Sequence, residues 1–132
     1  MKTMRTLKSQ AGVMLIEALV AILLFSVGVV AVMGMQAVSI EQVSQAKYRT
    51  DASYLADQII GQMWTDLPNL ASYATVGYSK RVPWNAVVAA TLPNGTATIT
   101  VAAPQVTVTI NWRMPNETVT RKFTSIANIN AS

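Results

Sequence analysis

An apolar run near the N-terminus constrains this chain more than any other feature. From Val13 to Ile40 the only charged residue is Glu17, and the eighteen residues of Ala18–Met35 have Ser26 as their only conventional polar side chain. An α-helix of eighteen residues is about 27 Å long, close to the ~30 Å hydrocarbon core of a lipid bilayer. The run therefore predicts a helix that can span a membrane.

The charges on either side of this run predict its orientation. Lys2, Arg5 and Lys8 precede it with no acidic residue among them, whereas charges of both signs follow it from Glu41 onward. Positive charge concentrates on the cytoplasmic side of membrane helices, so we expect the N-terminus in the cytoplasm and residues 41–132 outside. A cleaved secretory signal is the competing interpretation, but its apolar region spans about 7 to 15 residues, and this run is longer.

The composition argues against an enzyme. The 132 residues contain neither His nor Cys, so the thiol nucleophile, the usual general base at neutral pH and the commonest zinc ligands are missing. The best-placed pair of carboxylates, Asp57 and Asp66, lies on one predicted helix with about 13 Å of rise between them, too far apart for acid and base catalysis. We therefore expect a noncatalytic protein that needs no metal and no other cofactor.

The formal net charge of +4 does not predict a nucleic-acid partner. Three of the ten basic residues lie in the first twelve positions, and residues 13–132 carry seven basic and six acidic side chains. Lys80 and Arg81, close to Trp84, are too few to supply the phosphate contacts of ordinary DNA binding. We expect these two residues in a solvated loop.

Glu17 is the unusual residue of the apolar helix. A carboxylate in a bilayer helix costs about 2.5 to 3.5 kcal/mol at the bilayer centre and less near the interface, so it needs a cationic partner. No Lys or Arg lies within two turns downstream, and Lys8 is nine residues upstream. Cleavage after Gly12 would create a free amine at Val13, about one helical turn from Glu17 or from the same residue of a neighbouring copy.

The segment KSQAGVMLIE at 8–17 resembles the class III leader of type IV prepilins and pseudopilins. In that family a short basic peptide ending in Gly precedes an apolar helix with Glu at its fifth mature position. All of these features occur here in the same order. Two further stretches, LIEALVAILLFSVG at 15–28 and ASYLADQII at 52–60, are similar to the PilV-type minor pilins, the type IV pilus modification proteins.

This resemblance implies how the chain is processed and where it goes. It implies cleavage after Gly12 by prepilin peptidase, N-methylation of Val13, and pairing of Glu17 with a neighbour's N-terminal amine in a filament. The implied partners are other minor pilins, pilin subunits and the inner-membrane assembly machinery. It also implies a single-pass inner-membrane protein with a periplasmic headgroup that later enters a pilus fibre.

Downstream of the run, one apolar stripe continues at helical spacing. Its members follow one another at steps of four, three, four and four: Tyr48, Ala52, Leu55, Ile59 and Met63. Because Pro68 ends the pattern, we expect one helix from about residue 14 to 66, roughly 80 Å long if it is continuous. Core packing, not cofactor binding, is the expected role of this stripe.

The chain after Pro68 loses the helical period and gains alternating patterns typical of strands. Such patterns predict strands over Thr96–Val101 and Val106–Arg113, joined at Ala103-Pro104-Gln105, and a less regular third strand at about Thr118–Ser125. A meander of three or four antiparallel strands is too small to be stable by itself. We therefore expect it to cover the stripe of the helix.

Together these patterns predict an α+β protein with the pilin-like ladle architecture that the resemblance also implies. The predicted parts are a cleaved leader at 1–12, a hydrophobic helix at 13–38, the amphipathic half of the same helix at 39–67 and a headgroup at 68–132. We expect a minor pilin that helps to initiate or build a type IV pilus. Two alternatives stay open: an I-type pseudopilin of type II secretion, and an uncleaved, membrane-anchored binding module.

Overall fold

The computed structural model describes residues 8–115 and 117–130. The elements follow in the order α1 (Lys8–Trp64), a 3-10 helix (Leu67–Ala74), α2 (Val82–Thr91), β1 (Thr96–Ala102), β2 (Gln105–Trp112) and β3 (Arg121–Asn128). Residues 1–7 of the predicted leader lie outside the described residues. The last residues of that leader, from Lys8, already belong to α1.

The described chain divides into two compact units within α1. The N-terminal unit ends at Val43, and the C-terminal unit begins at Ser44. In its described part the N-terminal unit consists of α1 alone, whereas the C-terminal unit contains the last part of α1 and all the remaining elements.

The core of the C-terminal unit is built on one face of α1. The most deeply buried side chains of that face are at most 2 % exposed: Ala52, Leu55, Ala56, Ile59 and Met63. Trp84 and Val88 of α2 and the inward side chains of β2 complete the same cluster. A long N-terminal helix therefore packs against a small antiparallel sheet, and the predicted α+β class is confirmed.

The sheet has three strands in the order β1-β2-β3, all antiparallel to their neighbours. The alternation predicted for β2 is confirmed, because Val106, Val108, Ile110 and Trp112 are all buried and the residues between them are not. Ala102 pairs with Gln105 across the turn at Ala103-Pro104, whose peptide bond is cis. The third strand begins at Arg121, three residues later than predicted, because its alternation is weak and no buried side chain marks its start.

Two helical elements after Pro68 contradict the prediction that helical structure ends there. The 3-10 helix begins at Leu67 directly after α1, with Pro68 in its first turn, a position where the missing N–H costs nothing. α2 also has Pro83 in its first turn and buries Trp84 and Val88, one helical turn apart. With ten residues and only one turn of buried positions, α2 is too short for its periodicity to stand out in the sequence.

The turn between α2 and β1 requires glycine at position 95. A Cβ atom on Gly95 would lie 2.5 Å from the carbonyl oxygen of Val88, and Asn94 before it has a φ of 51°. The Asn94 side chain donates to the Arg113 carbonyl oxygen at 3.2 Å, and the Arg113 N–H donates to the Pro93 carbonyl oxygen at 2.9 Å. These bonds fix the turn against the end of β2.

Candidate processing and assembly site

The predicted cleavage site lies within α1. Gly12 is exposed, and a Cβ atom placed on it would meet nothing within 4 Å, while Val13 is 64 % exposed. Glycine at position 12 lowers helix stability by roughly 1 kcal/mol relative to alanine. An enzyme that needs an extended substrate therefore meets an accessible peptide bond at a point where the helix is weakened.

Glu17 is exposed on α1, four residues after Val13. Within the described part of the chain, the ion pairs join other residues, and no cation lies within ion-pair distance of Glu17. Four residues correspond to one turn and roughly 6 Å of rise, so an amine at the backbone nitrogen of Val13 would stand close to this carboxylate.

The N-terminal unit exposes large apolar side chains all round the helix. Leu15, Ile16, Leu24 and Phe25 point in four different directions around the helix and are between 63 % and 73 % exposed. The hydroxyl of Ser26 donates to the Ile22 carbonyl oxygen at 2.7 Å, so the polar side chain within the run is satisfied by its own helix. A helix that is apolar on every side is stable in lipid or in a protein core and not in water.

Among the described residues, one helix is long and apolar enough to cross a membrane, and it lies near the N-terminus. Its apolar stretch of eighteen residues has a mean hydropathy of 2.7, and no part of that stretch is buried within the chain. The observation agrees with anchoring by a single membrane pass.

The predicted stripe of α1 lies in the second unit. Four of its residues are buried in the core: Ala52, Leu55, Ile59 and Met63. Tyr48, at the N-terminal end of the stripe, is partly buried against this core. Trp84 donates its indole N–H to the Leu55 carbonyl oxygen at 2.9 Å, which ties α2 to the same face. These residues hold the fold together and are not available to a partner.

A polar cluster that the sequence did not reveal holds the segment between α1 and α2. Asp66, just after α1, is 7 % exposed and receives four donors. Its carboxylate lies 2.7 Å from the Lys80 ammonium, and it accepts hydrogen bonds from the Asn69 amide at 2.8 Å and from the Tyr73 and Tyr78 hydroxyls at 3.1 Å each. We call these five residues the Asp66 cluster.

The electrostatics of the Asp66 cluster follow from this geometry. The Lys80 ammonium, followed by the hydrogen bond from Asn69, holds the pKa of the Asp66 carboxyl far below its usual range. Burial, together with the negative Asp66 that accepts its proton, raises the pKa of the Tyr73 hydroxyl to about 12. The hydrogen-bonded pairing with Asp66 raises the pKa of Lys80. The cluster is therefore a carboxylate locked in its ionised form, which makes it a poor general acid or base.

Arg81 is buried, which contradicts the prediction of a solvated loop. Its side chain donates to the carbonyl oxygens of Tyr73 at 2.8 Å, Ala74 at 2.9 Å and Ala97 at 3.0 Å. Burial lowers the pKa of the guanidinium from its ordinary value. Five fixed N–H donors let an arginine satisfy several carbonyl oxygens at once, so Arg81 joins the end of the 3-10 helix to β1.

Sequence reasoning missed this part of the molecule because most of its contacts join residues seven to sixteen positions apart, although the Asn69–Asp66 bond spans only three. In sequence, the five residues of the Asp66 cluster are spread over fifteen positions, as polar residues are in an ordinary loop. The one available signal is the pair Tyr73 and Tyr78 close to Asp66, since a tyrosine hydroxyl that becomes buried needs an acceptor.

The carboxylates considered for catalysis do not converge. Asp66 is occupied by its four donors, and Asp57 is exposed on α1 beside Tyr54. Within residues 8–115 and 117–130, no three His, Cys, Asp or Glu side chains are grouped in a way that could hold a metal ion.

Comparison with known proteins adds no identification. No protein-family model, no curated protein and no solved structure matches this chain significantly. The fold class and the geometry around Gly12 and Glu17 are therefore the ground for any functional conclusion.

Proposed function

We propose that this chain is a minor pilin, a noncatalytic subunit that helps to initiate or build a type IV pilus. The observation that carries the proposal is the N-terminal unit, an apolar helix without a buried face that has Glu17 one turn after the Gly12–Val13 bond. A membrane anchor alone has no need for a carboxylate at that position, because the charge raises the cost of insertion.

In this proposal the chain is first an inner-membrane protein with its N-terminus in the cytoplasm and its headgroup in the periplasm. Prepilin peptidase cuts after Gly12, and Val13 becomes the methylated N-terminal residue. The exposed apolar side chains then leave lipid for a filament core made of neighbouring helices. Helix packing in that core replaces the lipid contacts by van der Waals contacts, with no hydrophobic gain, because lipid tails are as apolar as these side chains.

Glu17 has a defined role in that sequence of events. An unpaired ion in an apolar core costs several kcal/mol, and a pair with the N-terminal amine of a neighbouring subunit offsets part of this cost. Because the pair forms only when two helices have one axial offset, it also selects the register of the filament.

The deciding experiment is a mass measurement of the N-terminal peptide from membranes of cells that express the full chain. The expected peptide begins at Val13 and carries one methyl group on its amine. The matched control is Gly12→Leu, which should stay at the precursor mass, since the family's peptidase reads a small residue before the cut. A mature protein that keeps Met1 would instead favour the uncleaved, membrane-anchored binding module.

The I-type pseudopilin of a type II secretion system is the second candidate, because its processing and N-terminal helix are expected to be the same. Recovery of the processed chain in sheared surface filaments would favour the pilus. Its presence only in cell-associated material, together with loss of protein secretion in a strain without it, would favour the pseudopilus.

A further inference from the structure

The two edges of the sheet differ in how they are covered. Along β1, the 3-10 helix and α2 pack against the strand, and Arg81 donates to the outward carbonyl oxygen of Ala97. β3 is hydrogen-bonded to β2 on one side and to no described strand on the other. Uncovered edges invite pairing with another chain, so proteins usually protect them. Among residues 8–115 and 117–130, one edge is therefore protected and the other is open.

The register shows which backbone groups of β3 are open. The Ile129 N–H donates to the Pro104 carbonyl oxygen at 2.7 Å, directly beyond the ladder in which Asn128 pairs with Gln105. In an antiparallel strand the N–H and C=O of one residue point to the same side, and the side alternates. Lys122, Thr124, Ile126 and Asn128 therefore direct both groups away from β2, and no described residue bonds them.

A groove lies directly beside this edge, on the inner side of the sheet. Phe123 of β3 forms one wall, and α1 forms the other with Thr50, Ser53 and Tyr54, flanked by one cation and one anion, Arg49 and Asp57. Tyr54 is 69 % exposed although it is aromatic and belongs to the same helix as the core stripe. A strand added to β3 would lay every second side chain over this groove, because side chains alternate between the two faces of a sheet.

The charges around the edge discriminate between possible occupants. β3 contains two cations, Arg121 and Lys122, and no acidic residue. The Arg121 guanidinium is paired with the Glu117 carboxylate at 3.2 Å, whereas Lys122 is exposed and has no ion-pair partner among the described residues. The β3 strand of a second copy has no carboxylate to offer Lys122, so self-pairing gains nothing from this charge. An acidic strand is complementary to it.

We propose that the open edge of β3 binds an extended strand of a neighbouring pilus subunit. The strand places small or apolar side chains over the groove and an acidic side chain beside Lys122. Main-chain hydrogen bonds to the four outward residues supply most of the affinity, and the acidic side chain supplies selectivity. That the partner is a pilus subunit rests on the proposed function; the addition of a strand does not.

The first test uses hydrogen exchange on the full chain in detergent micelles. In the free protein, the amides of Thr124 and Ile126 should exchange faster than those of Phe123 and Ser125, which face β2. The probe is an eight-residue peptide of alternating Val and Glu, with a peptide of alternating Val and Lys as control. The first should slow exchange at the outward amides, and the second should bind about fivefold more weakly.

Two variants show whether the edge itself is the site. Thr124→Pro removes an outward N–H and leaves the ladder to β2 intact, so it should abolish peptide binding, while Thr124→Val should retain it. Lys122→Glu should reverse the preference between the two peptides. If the proline variant fails to fold, this reversal is the test of whether the peptide binds at β3. Equal binding of both peptides to the unmodified chain, or outward amides that are already protected, would overturn the inference. A dimer of the full chain that Thr124→Pro abolishes would identify a second copy as the occupant and overturn it as well.

Filament incorporation separates this inference from the proposed function. If the unmodified chain is processed and found in sheared filaments, Thr124→Pro should be processed equally but be missing from them, with Thr124→Val present. Incorporation of both variants would overturn the strand inference and leave the proposed function standing. An unmodified chain that binds the acidic peptide but is never processed would overturn the proposed function alone.

Discussion

The two units of this protein use the same helix in opposite ways. In the N-terminal unit Leu23 is 63 % exposed and Phe25 is 73 % exposed, whereas in the C-terminal unit Leu55 is 2 % exposed and Ile59 is fully buried. All four are large apolar residues of α1. What differs is the pattern around them, since the first region is apolar on every side and the second carries polar residues opposite one stripe.

This difference shows where each unit obtains its stability. The C-terminal unit covers its apolar stripe with its own sheet and α2, so its apolar burial is complete within one chain. The N-terminal unit has no such cover among the described residues and needs lipid or neighbouring helices to supply it. Substitutions should therefore change folding in the second unit and change insertion or assembly in the first.

The largest effect is expected for Ile59→Asp in the core stripe. The variant loses about 1.5 to 3 kcal/mol of side-chain burial and must also place a carboxylate in the core. We expect the C-terminal unit to be largely unfolded, as measured by near-UV circular dichroism and thermal unfolding of the full chain in micelles. Gln58→Asp, on the exposed face of α1, is the matched control and should unfold like the unmodified chain. An unchanged unfolding midpoint for Ile59→Asp would mean that the stripe is not the core.

Arg81→Met should have the next largest effect. The substitution keeps an unbranched side chain but leaves three carbonyl oxygens without their donor, one in a buried bond and two in partly buried ones. A buried group left unpaired costs about 1 to 3 kcal/mol, so we expect a loss of about 2 to 3 kcal/mol in the free energy of unfolding, measured with denaturant. Arg113→Met removes an exposed cation and should be nearly neutral. Equal effects of the two substitutions would exclude a structural role for the Arg81 contacts.

Gly95→Ala tests the turn that leads into β1. Its new methyl group would collide with the Val88 carbonyl oxygen and the Leu92 side chain, so we expect a loss of about 1 to 3 kcal/mol in the free energy of unfolding. Gly77→Ala is the control, because a Cβ at position 77 meets nothing within 4 Å. That variant should be neutral or slightly stabilising. The prediction is wrong if both variants unfold alike.

The Asp66 cluster predicts how stability depends on pH. Because the pKa of Asp66 is lowered in the folded protein, its contribution is complete above the unfolded value of about 4 and is lost as the pH falls below it. Because the pKa values of Tyr73 and Lys80 are raised, their contributions are complete below about 10 and are lost as the pH rises further. The thermal unfolding midpoint should therefore be independent of pH between about pH 4 and about pH 10.

Two carboxylate variants identify which group causes the loss of stability at low pH. Asp66→Asn should flatten the loss of stability below about pH 4, and Asp57→Asn, which removes an exposed carboxylate outside the cluster, should leave it in place. Thermal unfolding followed by circular dichroism at a series of pH values checks both variants. If Asp66→Asn still loses stability below about pH 4, another group causes that loss.

Glu17→Leu should have the smallest effect on stability and a specific effect on assembly. The substitution makes the helix more apolar, so insertion should be at least as efficient, and the unfolding midpoint of the C-terminal unit should not move. In a strain without the native copy, the variant should reach the mature mass but be depleted from sheared filaments. Normal piliation with normal incorporation would remove the pairing role proposed for Glu17.

The parts of the fold that sequence patterns predicted are those that repeat over many residues. The long apolar run, the stripe from Tyr48 to Met63 and the alternation of β2 each carry their own period. The 3-10 helix, α2 and the buried Arg81 have no such period, because each is held by a few contacts to distant residues. The same holds for Asp66, whose acceptor role depends on where Tyr73, Tyr78 and Lys80 fold back.

The sequence by itself therefore determined the α+β class, the apolar N-terminal helix and the residues around which a processing and assembly role is proposed. Local chemistry is sufficient for these, since hydrophobic periodicity and a lone carboxylate are properties of short segments. Only the tertiary structure decided that Asp66 and Arg81 are buried, and that the edge at β1 is covered while no described strand covers the edge at β3. Those properties depend on long-range contacts, which are formed when segments far apart in sequence compete for the same buried space.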